Sequence, residues 1–138
     1  MATRLPSQLV ETYKFWDVVG LWAREQLEHE QIVARALARG VVVDGLRFQS
    51  VDPRWVKADR SLTGYPYVGY AARSDAAPVL LRAEALEHLL SIVRTAAVPS
   101  REALTEEFVS RQDFRAWLQA TKQALPSFWF DPRDVAGG

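Results

Sequence analysis

Apolar residues recur at helical spacing over the first third of the chain. Phe15, Val18, Val19, Trp22, Leu27, Ile32, Val33, Ala36 and Leu37 fall near three or four apart with charged residues between them. That period predicts two helices, over residues 15–28 and 30–39, broken at the polar Glu28-His29-Glu30 so that they can pack on each other, with one longer helix as the alternative. Gly40 follows Arg39 where a helix commonly ends on a glycine in the left-handed region.

The pattern then changes. Val41-Val42-Val43 and Leu46-Arg47-Phe48-Gln49-Ser50-Val51 flank Asp44-Gly45, a pair that tolerates the positive φ angles of a two-residue type I′ turn. A β-hairpin is predicted over 41–51. Pro53 ends its second strand, because proline brings no N–H to a ladder. From Trp55 to Ala77 the chain is irregular and aromatic, with a strand over 67–72, and Val79-Leu80-Leu81 reads as a further short strand. Leu86, Leu89, Leu90 and Val93 share one face of a helix over 83–94.

Ser100 is placed to cap a short helix ending near Glu107, with Glu102 and Glu106 favouring the positive end of its dipole. Ser110 followed by Asp113 resembles a capping box, so a last helix is predicted over 111–122, after a tight turn at Phe108-Val109. Residues 1–12 and 131–138 are expected to fray. The elements add up to one α+β domain over 1–138, with four or five helices and a small antiparallel sheet that includes the 41–51 hairpin.

Composition narrows the function classes. At 138 residues the chain can bury a core of its own, and 49% hydrophobic residues with five tryptophans set it apart from disordered sequences. It has no cysteine, which excludes disulfides, thiolate metal sites and a cysteine nucleophile. Lys+Arg and Asp+Glu each number 17, so no global field draws the chain to nucleic acid or to an anionic membrane, and such binding needs a local patch. The amino terminus lacks the apolar run of a signal peptide and no apolar run approaches the ~20 residues that span a bilayer, so a cytoplasmic protein without a membrane partner is expected.

Two segments have the general look of a helix-turn-helix. In the first, helices 100–107 and 111–122 present Arg111, Gln112, Arg115, Gln119 and Lys122 opposite a buried face of Phe114, Trp117 and Leu118. Arg and Gln are the side chains that read guanine and adenine in the major groove. The glutamates of the first helix, Glu102, Glu106 and Glu107, would repel phosphate. In the second, helices 15–28 and 30–39 precede the hairpin as a β-wing, so that Arg35, Arg39 and Arg47 are the candidate phosphate contacts.

Other chemistry is thinner. Glu25-Gln26-Leu27-Glu28-His29 and Glu84-Ala85-Leu86-Glu87-His88 share a spelling that places Glu and His four apart, but such pairs are commonly surface contacts, and no metal or cofactor is expected. No P-loop, dinucleotide fingerprint or nucleophile elbow occurs, and no catalytic residue is assigned. Trp55, Tyr65, Tyr67 and Tyr70, and Phe128-Trp129-Phe130, suit base stacking, a protein interface or a core plug. The sequence therefore points to a small non-enzymatic accessory or regulatory protein. Double-stranded DNA is its first candidate partner and another protein the alternative; an enzyme of unknown reaction is a third.

Overall fold

The computed structural model describes residues 10–50 and 67–131. Strand β1 (Thr12–Lys14) leads into helix α1 (Phe15–Gln26), helix α2 (Glu30–Arg39) and a π-helical turn (Gly40–Asp44). Strands β2 (Tyr67–Tyr70) and β3 (Val79–Arg82), helix α3 (Ala83–Thr95), strand β4 (Phe108–Ser110) and helix α4 (Arg111–Ala120) follow. The α+β class holds, with four α-helices and two antiparallel strand pairs, β1 with β4 and β2 with β3.

The break between α1 and α2 falls where the polar residues put it. Leu27 takes a left-handed conformation at φ 54°, and the His29 side chain caps α2 by accepting from the Gln31 amide. α2 packs against both α1 and α3, and its inward residues Val33, Ala34, Leu37 and Ala38 are buried. The aromatic end of the chain closes this core. Phe114 on α4 stacks with Phe130 and meets Trp22 edge-on, and Trp129 is fully buried with its Nε1 donating to the Val10 carbonyl. Phe128-Trp129-Phe130 is therefore a core plug. It also holds residues 10–12, assigned by composition to a frayed terminus; the Glu11 carbonyl accepts from the Arg111 amide, and Thr12 pairs with Ser110.

Residues 41–50 do not form the expected hairpin, and Gly40 follows the end of α2 without the left-handed backbone expected of it. Gly40 stays right-handed (φ −56°, ψ −44°) and the chain runs on through a wider turn to Gly45, which is left-handed at φ 82°. The Leu46 amide reaches back to the Gly40 carbonyl at 2.9 Å, a helix-ending pattern that needs the positive φ of the residue before it. Asp-Gly signalled that positive φ correctly, but a helix stop uses it as readily as a type I′ turn does. Val41 is buried and Val43 exposed, and Tyr70 OH donates to the Val42 carbonyl at 3.1 Å. Beyond Gly45, residues 46–50 thread between the strand pairs: Gln49 bridges Phe108 of β4, and the Ser50 amide donates to Leu80 of β3. The expectations for Val51, Pro53 and 55–66 lie outside the described residues.

The helix expected over 100–107 is also absent, and Phe108-Val109 is strand β4 instead of a tight turn. The reason is a buried ion pair. Glu107, fully buried, accepts from Arg82 Nε and Nη2, each at 2.9 Å, and from Ser50 Oγ at 2.6 Å. Arg82 Nη2 also takes the Ala103 carbonyl, which in a helix would belong to the Glu107 amide. By contrast α4 starts where its cap predicts. Ser110 Oγ accepts from the Asp113 amide and donates to the Asp113 carboxylate.

Candidate functional site

The first helix-turn-helix loses its leading helix, and its basic side chains divide between packing and solvent. Arg111 lies over the Phe130 ring at 4.7 Å and donates to the Trp129 carbonyl at 3.0 Å, so it clamps the aromatic plug to α4. Arg115 is half-buried, and Gln112, Gln119 and Lys122 are exposed. The second unit keeps its two helices and loses its wing. Arg35 Nη1 donates to the Ala96 carbonyl beyond the end of α3, Arg47 Nη1 to the Ala77 carbonyl before β3, and Arg39 is exposed. Arg35 and Arg47 thus tie separate parts of the framework.

The two Glu-His pairs also serve different places. The Glu25 carboxylate accepts from the Ser127 amide and hydroxyl and from the Phe128 amide, joining the end of α1 to the aromatic plug. His88 Nε2 accepts from the Ser100 amide at 2.8 Å, which requires a neutral ring with its proton on Nδ1. Among the described residues no three His, Asp or Glu side chains gather as metal ligands.

A different set of residues forms a concavity on the surface. The elbow between α1 and α2 faces the segment that follows α3, and a groove of about 500 Å³ runs between them. Its walls are Trp16 of α1, His29, Glu30 and Gln31 of α2, and Pro99 and Arg101 opposite. The Arg101 guanidinium lies over the Trp16 ring at 4.5 Å and forms an ion pair with the Glu30 carboxylate. Glu28 completes the acidic side, its Oε1 accepting from the His29 amide. Trp16 Nε1 is buried and has no hydrogen-bond partner among the described residues.

Each wall is placed by a separate local device. The left-handed Leu27 and the His29 cap turn α2 away from α1, which leaves the polar elbow at the surface. Ala96, left-handed at φ 56°, ends α3, and the bonds from Arg35 to Ala96 and from Ser100 to His88 pin the following segment beside α2. Large apolar side chains next to the wall residues point to water: Leu27 is 93% exposed, Val98 61% and Ile32 54%. Sequence reasoning passed over this group because its members lie up to 85 positions apart, from Trp16 to Arg101. Only the polar elbow itself carried a local signal.

No helix among the described residues is long and apolar enough to cross a membrane. Comparison with family models, with curated proteins and with solved structures finds no match to this chain.

Proposed function

We propose that the chain is a non-enzymatic accessory protein that docks another protein at the groove between the α1–α2 elbow and residues 96–101. The carrying observation is the cluster itself: an arginine stacked on a tryptophan, flanked by exposed Leu27, Ile32 and Val98. Tryptophan and arginine are among the side chains most enriched at interface hot spots, and the exposed Leu27, Ile32 and Val98 each adjoin a wall residue in the chain. The interlocked ties of Arg35, Ser100 and His88 support a preformed face, which keeps the ordering cost of binding low.

The test is capture from cell extract by the full chain, with Ile32→Asp and Val98→Asp together as the comparison. Both side chains are more than half exposed, so the double variant is expected to keep its fold within about 0.5 kcal/mol. A partner retained by the wild type and lost by the variant supports the docking face. Double-stranded DNA is the competing partner. Retention of a fluorescent duplex that weakens with salt, and on removal of Arg115 and Lys122, with no protein captured through Ile32 and Val98, replaces the protein reading with the nucleic-acid one.

A further inference from the structure

Resting on the docking face above, we propose that the Trp16 face is a cation site for an arginine side chain of the partner protein, and that Arg101 fills this site in cis while the partner is absent. The chain itself demonstrates the chemistry. A guanidinium lies over the indole at 4.5 Å and meets the Glu30 carboxylate, which is the pairing an incoming arginine needs. Without Arg101 the groove wall carries Glu28 and Glu30 beside the indole, an acidic rim with an aromatic floor. Charge complementarity thus favours a basic segment over an acidic one.

Arg101 is suited to leave. Its side chain is 62% exposed and that of Glu30 45%, so the ion pair is well solvated and exchanges easily. It stands in a segment without regular structure, two residues after the buried Pro99 and three before the buried Leu104. Arginine is preferred to lysine because a planar guanidinium stacks on the indole and still points its N–H groups at a carboxylate in the same plane.

The experiment is fluorescence anisotropy with a labelled Gly-Arg repeat peptide, and with Gly-Lys and Gly-Glu repeats, on the full chain. Arg101→Gln removes the internal competitor and is expected to bind the Gly-Arg peptide about tenfold more tightly than the wild type does. On that background, Glu28→Gln with Glu30→Gln is expected to abolish the gain. Circular dichroism confirms that these exposed substitutions leave the fold in place. No gain on Arg101→Gln, or equal binding of the Gly-Glu or Gly-Lys peptide, overturns the arginine site. Protein capture that depends on Ile32 and Val98, with no gain on Arg101→Gln, overturns the arginine occupant while the docking face stands. A gain without such capture supports the cation site and removes the docking reading.

Discussion

Gly40→Ala is expected to destabilise the protein, although Gly40 is right-handed and at the end of a helix, where alanine ordinarily helps. In such a backbone alanine gains up to about 1 kcal/mol over glycine. Here a Cβ would stand 2.8 Å from Trp117 Cζ2 and 2.9 Å from Cε2, closer than such atoms approach. The ring has little room to yield. It is buried, meets Trp22 edge-on at 6.1 Å and Phe114 at 5.8 Å, and its Nε1 bonds Asp44 Oδ2 at 3.3 Å. Overpacking of this kind costs about 1–3 kcal/mol, and with the indole held on three sides the upper part of that range applies. The net loss is then about 1–2 kcal/mol, or a melting temperature lower by roughly 3–7 °C for a chain of this size. Urea and thermal unfolding measure it. Trp117→Leu supplies the control, because Gly40→Ala in that background has no ring to strike and is expected to be neutral or stabilising. A wild-type background in which Gly40→Ala melts at or above the parent refutes the reasoning.

Arg82→Met is expected to cost about 3–5 kcal/mol, since it leaves the fully buried Glu107 without its counter-charge, whereas Arg82→Met with Glu107→Met is expected to lie much closer to the wild type. Denaturant midpoints of the two variants decide this, and equal losses would count against a buried pair. Gly45→Val forces a β-branched residue to φ 82° and is expected to cost about 1–2 kcal/mol; an unchanged melting curve would remove the left-handed stop. Burial pushes the His88 imidazole below its ordinary value of 6.5, against the opposing charge of Glu84. With the folded value under the unfolded one, the contribution of the neutral ring is complete above the unfolded value and is lost as the pH falls through the folded value. Urea midpoints are therefore expected to fall as the pH drops below the ordinary imidazole value of 6.5, and to fall less in His88→Gln, which can accept the Ser100 amide without titrating. Parallel pH profiles for the two proteins would refute it.

Where an element depends on its own residues, the sequence was legible. The apolar period located α1, α2 and α3, and Ser110 with Asp113 located the start of α4, because caps and stripes act within one or two turns. Where distant residues decide, it was not. Ser100 and the glutamates after it suit a helix, but the Ala103 carbonyl and the Glu107 carboxylate are both taken by Arg82, which lies more than 20 positions earlier. Val41-Val42-Val43 favour a strand, but extending α2 buries Val41 and brings Gly40 under Trp117. Tertiary packing outweighs a local preference of a few tenths of a kcal/mol per residue in both cases.

The same distinction governs the candidate site. Arg111 and Arg115 stood out because they share one face of a helix with strong amphipathic spacing, and that spacing says only which side is apolar. It does not say what lies beyond the boundary, and for Arg111 that is the Phe130 ring and the Trp129 carbonyl. Arg101 had the opposite fate. It follows Pro99 and Ser100 in the first turn of the helix expected over 100–107, beside glutamates that favour the positive end of its dipole. Its partner Trp16 falls outside the apolar period that marks α1, and it is half-buried where its neighbour Phe15 is fully buried. What sets this pair apart is the geometry of α1, α2 and the segment after α3. Two left-handed residues, Leu27 and Ala96, turn the chain so that an indole and a guanidinium from opposite ends of the sequence meet at the surface. Both are non-glycine residues at positive φ, a conformation that costs about 1 kcal/mol each and that composition does not announce. A groove built on such turns becomes visible only once the chain is folded.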